Sequence, residues 1–257
     1  MRIVTHTCSN TEIVAALGCG HLIVGVDDHS DHPVELVAGV AKVGKDLEVD
    51  PAKVAALKPD LILTSLTVPG HERVIERLLT LKIPLLVLAP QSAADVAEDI
   101  RRVGRLLGVP ERGEALALEL EEALRPVAPP DPAAPKVLVE WWPKPCIAAA
   151  RQSWVHDLIV AAGGHNPLAD RHAASTPLSD DEVAAMNPDA VVISWCGVPE
   201  SHYRTEVVTR RPGWQSVRAV RDGLVFPVTE AWLGRPGPRL VEGLRALKEV
   251  VARAREG

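Results

Sequence analysis

Tryptophan, histidine and cysteine side chains recur directly after short β-branched runs, and they are the residues of this sequence best suited to binding chemistry. Indole rings can stack on a flat apolar surface, whereas imidazole and thiol groups can hydrogen-bond a ligand or coordinate a metal. This mixture favours a flat, apolar ligand with polar edges. The candidate ligand-binding residues, which include one leucine in the same kind of position, are Cys8, His29, His32, Leu66, Trp142, Trp195, Cys196 and Trp232.

Each candidate histidine and cysteine also has a plainer interpretation. A loop histidine is usually hydrogen-bonded to its neighbours, and a cysteine is often a small buried hydrophobic residue. A carrier of free zinc or manganese is a further alternative, because His6, His29, His32 and His71 could converge with Asp31. Such ions need three or four ligands at about 2.0 to 2.3 Å, and no His-rich loop supports that site. We therefore predict no metal site.

Catalytic motifs are missing from the sequence. Gly18-Cys-Gly20 with Gly25 follows a predicted helix rather than a strand, and it therefore fails the dinucleotide-binding fingerprint. The chain also lacks a P-loop, a GxSxG motif and a HExxH motif. Although parallel α/β sheets carry many enzymes, we expect neither an enzyme nor a bound cofactor.

Charge, cysteine content and hydropathy narrow the function further. The net charge of −6 comes from interspersed acidic and basic residues without a basic stripe, so a nucleic-acid partner is not expected. The four cysteines allow three pairings and form no CxxC motif, which leaves their redox state open. No apolar export signal or run of 18 apolar residues is present, so the protein is either cytoplasmic or was exported with a signal that is not encoded here.

An alternation of strands and helices must position the candidate residues. Strand-like runs occur at residues 2–7, 22–26, 61–64 and 85–88, and again at residues 137–141, 190–195 and 224–228. Helical patterns separate them, which is typical of parallel sheets with βαβ crossovers. Because the carboxyl ends of parallel strands share one edge, the residues that follow them are expected to gather there.

A proline-rich segment, residues 126–135, divides the chain. We predict an N-terminal α/β lobe at residues 1–90, a helical connector and proline-rich junction at residues 91–133, and a C-terminal α/β lobe at residues 134–257. Residues 54–65 and 183–194 are identical at six of twelve positions, which predicts the same helix-turn-strand unit in both lobes. The core should be aliphatic, with Trp154 as a core residue on a helix, because the chain has one Tyr and one Phe.

Several short motifs, taken in order, resemble one family. They are Cys8-Ser-Asn-Thr-Glu12, the Asp-His-Ser-Asp-His-Pro loop at residues 28–33, Leu57-Lys-Pro-Asp-Leu61, Gly163-Gly164, Ser194-Trp-Cys-Gly197 and Arg235-Pro-Gly-Pro-Arg239. Over nearly the whole chain they resemble the cobalamin-binding branch of the substrate-binding proteins of ABC importers, whose relatives also serve ferric siderophores and haem. The resemblance implies two Rossmann-like lobes with parallel sheets, joined by a single long helix at about residues 111–125, with the ligand in a cleft between them.

The resemblance also implies the ligand and the partner. The ligand would be a corrinoid such as cobalamin, with a ferric siderophore or haem as the alternative, and a cytosolic corrinoid-binding protein as a less favoured one. The partner would be a membrane permease, which an extracytoplasmic monomer docks through one exposed glutamate per lobe. Glu72 and Glu182 match those positions, although Ser179-Asp-Asp-Glu182 is also a capping box. His29, His32 and Leu66 stand where relatives often place aromatic residues, so the ligand face should be more polar here.

Overall fold

Two compact α/β units make up the protein. The structure, a computed structural model, describes residues 1–125 and 131–256. The first unit comprises Met1–Pro90 and Asp95–Glu119, and the second comprises Gln91–Ala94 and Leu120–Gly257. The predicted α/β class with two lobes is confirmed. Within the described part of the chain, no helix is long and apolar enough to cross a membrane.

A fully parallel sheet lies at the centre of the first unit. The elements in chain order are β1 (Ile3–Thr5), α1 (Cys8–Ala16), a 3₁₀ turn (Gly20–Leu22), β2 (Ile23–Val26), α2 (Val34–Val37), β3 (Ala41–Lys42), β4 (Gly44–Lys45), β5 (Glu48–Val49), α3 (Pro51–Ala56), β6 (Leu61–Ser65), α4 (His71–Leu79), β7 (Leu85–Leu88), α5 (Ala93–Leu106) and α6 (Pro110–Ala123). The sheet order is β3-β2-β1-β6-β7, and β4 pairs with β5 in a separate small hairpin. All four strands predicted for this lobe are present. Asp50 caps α3, since its side chain accepts the backbone N–H groups of Ala52 and Lys53 ahead of Pro51.

The second unit has a mixed sheet. Its elements are β8 (Val137–Pro143), β9 (Cys146–Ala149), α7 (Trp154–Ala161), β10 (Ser175–Leu178), α8 (Asp180–Met186), β11 (Ala190–Ile193), a 3₁₀ turn (Glu200–His202), α9 (Glu206–Thr209), a 3₁₀ turn (Pro212–Trp214), α10 (Arg218–Arg221), β12 (Val225–Pro227), α11 (Glu230–Leu233) and α12 (Leu240–Glu256). The order is β10-β9-β8-β11-β12. The three predicted strands β8, β11 and β12 are parallel, whereas β9 and β10 are antiparallel additions. The predicted parallel strands are therefore present, and the two antiparallel strands that were not predicted are added because a tight turn after Pro143 folds β9 back onto β8.

The helix expected at about residues 111–125 is present as α6, and α5 precedes it. α5 and α6 follow each other, and Gly104 and Gly113 let them approach closely, since a Cβ on Gly104 would lie 2.8 Å from the Gly113 Cα atom. Most of both helices belongs to the first unit, and the boundary between the units falls within α6 at Leu120. Of the proline-rich segment, Pro126, Pro129 and Pro130 lie outside the described residues.

The internal repeat has the same local structure in both units. α3 leads through a Pro-Asp turn to β6, and α8 leads through another to β11, as predicted. Lys58 and Asn187 occupy equivalent positions and both have a left-handed backbone, with φ of 47° and 45°. Asp60 Oδ2 accepts the Arg2 N–H at 2.7 Å, and Asp189 Oδ2 accepts the Lys136 N–H at the same distance. The repeat therefore extends to the hydrogen bonds that secure the central strand of each sheet.

Candidate functional site

Four predicted ligand residues gather at the carboxyl edge of the first sheet. Cys8 starts α1 just after β1, His29 and His32 lie in the loop after β2, and Leu66 follows β6. These three strands are parallel, so the residues share one edge. Both histidines are exposed, Leu66 is 39% exposed and Cys8 is partly exposed. This edge thus presents imidazole, thiol and apolar groups to solvent.

A chain of buried hydroxyl groups fixes the histidine loop. The buried carboxylate of Asp27 accepts the His29 N–H at 2.8 Å and the Ser30 hydroxyl at 2.6 Å. Because a carboxylate only accepts, Ser30 in turn accepts from Thr11 at 2.9 Å, and Thr11 accepts from Thr5 at 2.7 Å. The loop that carries His29 is therefore tied to the centre of the unit.

The turn from β1 into α1 has an unusual backbone. Thr7 has φ of 79°, a positive value that is rare for a β-branched residue and costs on the order of 1 to 3 kcal/mol. Its hydroxyl contacts Ser65 Oγ at 2.9 Å and Ser9 Oγ at 3.2 Å. Asn10 donates to the His6 carbonyl oxygen at 2.7 Å, which closes the same turn. These bonds hold Cys8 in place beside the end of β6.

Asp46, at the tip of the β4–β5 hairpin, lies between two buried histidines. His6 Nε2 contacts the Asp46 carbonyl oxygen at 2.6 Å, and His71 Nε2 contacts Asp46 Oδ1 at 2.8 Å. The two rings meet edge to face with centroids 5.9 Å apart. Burial lowers the pKa of His6. Partial burial raises the pKa of Asp46, but the hydrogen bond from His71 and the charge of the neighbouring imidazoles outweigh it and lower that pKa.

Sequence reasoning did not find this cluster. It grouped His6 and His71 with Asp31 as candidate metal ligands, whereas the structure pairs both of them with Asp46. In residues 1–125 and 131–256, no group of three or more His, Cys, Asp or Glu residues is arranged to hold a metal ion. This cluster could have been predicted from the short strand-like segments on either side of Asp46-Leu47, which indicate a hairpin turn between them.

The second sheet carries its candidates at the carboxyl edge as well. Trp142 lies near the end of β8 and is 43% exposed, Cys196 follows β11 and is exposed, and Trp232 lies on α11 after β12 and is partly exposed. Trp142 thus offers an indole face at this edge. The interpretation of Cys196 as a small buried residue was wrong, since its position just beyond the strand leaves it in solvent.

Trp195 is a core residue rather than an exposed stacking surface. Its side chain is 5% exposed, its Nε1–H donates to Glu140 Oε1 at 2.9 Å, and its ring centroid lies 5.4 Å from that of Tyr203. Tyr203 donates its hydroxyl to the Trp195 carbonyl oxygen at 3.1 Å. The expectation of an exposed ring at Trp195 is not met, because the ring is buried against Tyr203 and its Nε1–H is bonded inside the second unit. Trp154 is buried on α7 as predicted and donates to the Leu233 carbonyl oxygen.

A buried ion pair that sequence reasoning missed fixes the segment after β11. Glu140 on β8 is fully buried, and Arg211 donates to both of its carboxylate oxygens. The guanidinium carbon also lies 4.4 Å from the ring centroid of Trp214. Burial and the Glu140 charge raise the pKa of the nearby Cys146 thiol. The single charged residue in the strand Val-Leu-Val-Glu-Trp-Trp could have indicated this ion pair, because a buried carboxylate needs a partner.

Both candidate docking glutamates have local roles. Glu72 is exposed and its Oε2 accepts the Gly70 N–H at 2.9 Å, so this carboxylate caps the start of α4. Glu182 completes the predicted capping box with Ser179 and pairs with Arg171 at 2.6 Å. The hydrogen bonds from Ser179 and Arg171 lower the pKa of Glu182 to about 2. Both side chains still reach solvent, and Glu182 is 41% exposed.

All four cysteines lie in the described part of the chain and are thiols rather than disulfides. Cys19 and Cys146 are buried, Cys8 is partly exposed and Cys196 is exposed. No pair therefore contributes a covalent link to either unit in this structure.

The sequence matches a protein family over most of its length. The model for the family described as periplasmic binding protein covers residues 3–231. An uncharacterised ABC transporter substrate-binding lipoprotein, YvrC of Bacillus subtilis strain 168, is 29% identical over 97% of this chain and 79% of its own. A vitamin B12-binding protein of Pectobacterium carotovorum is 25% identical over 93% of this chain and 84% of its own.

Solved structures share the fold. The apo form of the periplasmic haem-binding protein RhuT from Roseiflexus sp. RS-1 superimposes with a TM-score of 0.82 at 28% identity, over 98% of each chain. A periplasmic haem-binding protein from Pseudomonas aeruginosa gives a TM-score of 0.79, also at 28% identity, over 97% of this chain and 92% of its own. These relatives are binding proteins rather than enzymes.

Proposed function

Because the chain belongs to the periplasmic binding protein family, whose members carry small molecules to ABC permeases, we propose that its ligand is a corrinoid such as cobalamin. In this role it is a non-enzymatic substrate-binding component of an importer. Family membership alone does not select a corrinoid, because relatives that bind vitamin B12 and relatives that bind haem both match nearly the whole chain.

The observation that carries the proposal is the half-exposed indole of Trp142 at the carboxyl edge of the second sheet. A corrin ring has a broad apolar face and a rim of amide groups. An indole of this size contributes dispersion and buried area against such a face. Trp232, partly exposed at the same edge, is a second aromatic contact.

The first unit supplies groups suited to the amide rim. His29 and His32 are exposed and can donate or accept hydrogen bonds, and Leu66 adds apolar area beside them. The position of His29 is fixed, since Asp27 accepts its backbone N–H.

Haem is the second candidate, favoured by the haem-binding structures at 28% identity. Haem iron commonly takes an axial His or Cys, which His29, His32 or Cys196 could provide. Haem also carries two carboxylates, however, and a ferric siderophore is often anionic. None of the eight candidate ligand residues is a Lys or Arg, so the set suits the neutral amides of a corrinoid better.

Calorimetric titration with cyanocobalamin and, separately, with haemin tests the proposal. We expect one site with cyanocobalamin and weaker or no binding with haemin. Replacing Trp142 by Ala should remove about 1 to 3 kcal/mol of binding, or about tenfold to a hundredfold in Kd. Tight haemin binding without cyanocobalamin binding would move the protein to the second candidate, and failure of both would refute a planar metal chelate.

We also propose that Glu72 and Glu182 dock the permease. Their exposure supports this, because each carboxylate retains solvent-facing area after its cap is satisfied. Exposed ion pairs each contribute about 0 to 1 kcal/mol, so both are needed for strong docking.

A further inference from the structure

The hydrogen bonds around His71 determine which of its ring nitrogens carries the proton. The Thr67 backbone N–H donates to His71 Nδ1 at 3.2 Å, and a backbone N–H cannot accept in return. Nδ1 is therefore unprotonated, and the neutral ring carries its proton on Nε2, which donates to Asp46 Oδ1 at 2.8 Å. The buried imidazole of His71 thus accepts a hydrogen bond from the turn at Thr67 and donates one to the hairpin turn at Asp46.

The two turns that His71 joins each carry an exposed leucine. Thr67 follows Leu66 in the turn between β6 and α4, and Asp46 precedes Leu47 at the hairpin tip. Leu66 is 39% exposed and Leu47 is 46% exposed. Leu47 also packs over the start of α4, since its Cδ2 lies 3.3 Å from where a Cβ on Gly70 would be. One imidazole ring thus sets the spacing of two apolar groups at the carboxyl edge of the first unit.

His6 supports the hairpin in a way that does not depend on its protonation. Its Nε2–H donates to the Asp46 carbonyl oxygen, and its Nδ1 contacts the Thr64 hydroxyl at 2.9 Å. A hydroxyl can donate or accept, so both contacts of His6 survive when the ring gains a proton. The Thr67 backbone N–H can only donate, so its hydrogen bond to His71 requires an unprotonated Nδ1.

We propose that His71 is a positioning residue that holds the Leu66 turn in the arrangement the ligand needs. This inference rests on the proposed function, because it concerns the same ligand edge. Without the Nδ1 acceptor of His71 the Thr67 N–H loses this partner, and the Leu66 turn loosens.

Two substitutions separate the halves of the bridge. In His71→Asn the amide oxygen can stand where Nδ1 stood and accept from Thr67, but the side chain is too short to reach Asp46. In His71→Gln the amide nitrogen can reach Asp46, but no acceptor faces Thr67. Neither side chain titrates. His21→Gln, at an exposed histidine of the same unit, is the matched control.

Cyanocobalamin affinity is measured by calorimetry at pH 7.5. We expect His21→Gln and His71→Asn to bind about as tightly as wild type. His71→Gln should bind about threefold to tenfold more weakly, the equivalent of one lost hydrogen bond. Equal affinity of wild type and His71→Gln, or an equal loss in His71→Gln and His71→Asn, would overturn the inference.

Amide hydrogen exchange at Thr67 provides a readout that needs no ligand. Protection is expected in wild type and in His71→Asn, after correction for the intrinsic exchange rate, and it should be lost in His71→Gln. If no ligand binds, the proposed function fails but this measurement still decides. Thr67 protection that persists in His71→Gln would refute the role of His71.

Discussion

Arg211 donates to both carboxylate oxygens of Glu140, at 2.5 and 2.9 Å, while the indole of Trp195 donates to one of the same oxygens. The carboxylate is fully buried on β8, and the arginine lies 71 residues further along the chain. This contact ties the segment after β11 to the central strand of the second sheet.

Breaking that ion pair should destabilise the second unit strongly. Arg211→Met leaves a buried, unpaired charge on Glu140, for which the usual cost is about 3 to 5 kcal/mol in the free energy of unfolding. Urea unfolding measures it, with Arg210→Met, an exposed neighbour, as the control. The double variant Glu140→Met with Arg211→Met should recover much of the loss. A cost for Arg211→Met no larger than for Arg210→Met would contradict the prediction.

Trp142 and Trp195 should respond to substitution in opposite ways. Trp142→Ala removes a half-exposed indole and should weaken ligand binding with a change of less than about 1 kcal/mol in unfolding free energy. Trp195→Ala opens a cavity in the core and should cost about 3 to 5 kcal/mol of stability. Parallel calorimetry and urea unfolding separate the two. A stable Trp195→Ala protein with lost binding would restore Trp195 as a ligand residue.

Neutralising Glu72 and Glu182 together should impair delivery to the permease. Glu72→Gln and Glu182→Gln keep an oxygen that can accept the Gly70 and Ser179 N–H groups, so the helix caps survive while both charges are lost. Ligand affinity should not change. Transport in reconstituted vesicles is the measurement, with Glu76→Gln plus Asp181→Gln on the same helices as the control. Unimpaired transport by the first pair would refute the docking role.

Acidification should destabilise the first unit through His6. Burial lowers its pKa in the folded state, so below about pH 6.5 the unfolded chain binds a proton that the folded chain does not. Its contribution to stability is complete above that pH and falls as the pH drops towards the folded-state pKa, by at most about 1.4 kcal/mol per pH unit. His6→Gln keeps the Nε2 donor and should show a shallower dependence in urea unfolding at pH 8 to 5.5. An unchanged pH dependence of the unfolding free energy in His6→Gln would exclude His6 as the source of the acid destabilisation.

The close crossing of α5 and α6 should not tolerate side chains. Gly104→Ala would bring a Cβ within 2.8 Å of the Gly113 backbone, and such overpacking costs about 1 to 3 kcal/mol. Gly39→Ala is the control, because an added Cβ there meets nothing within 4 Å. The two variants are compared by thermal unfolding. Equal melting temperatures of the two variants would show that α5 and α6 can move apart without loss of stability.

The central strands could be predicted because their buried runs are β-branched, as in Leu61–Ser65 of β6. β9 and β10 were missed, since Cys146–Ala149 is rich in alanine and Ser175–Leu178 contains a proline. The sequence pattern correctly placed Trp195 after a strand, but it did not predict the direction of its ring. The partners that bury the ring, Glu140 and Tyr203, lie 55 and 8 residues away. Strand ends follow from local pattern, whereas side-chain direction depends on distant contacts.

The paired bonds of Asp60 and Asp189 have a consequence for the order in which the chain is made. β1 lies between β2 and β6, and its end is fastened by Asp60, 58 residues after Arg2. β8 is fastened in the same way by Asp189, 53 residues after Lys136. The first strand of each sheet to leave the ribosome therefore keeps one edge unpaired until more than fifty further residues have been synthesised. Each nascent half must remain unaggregated with that edge open before its sheet can close.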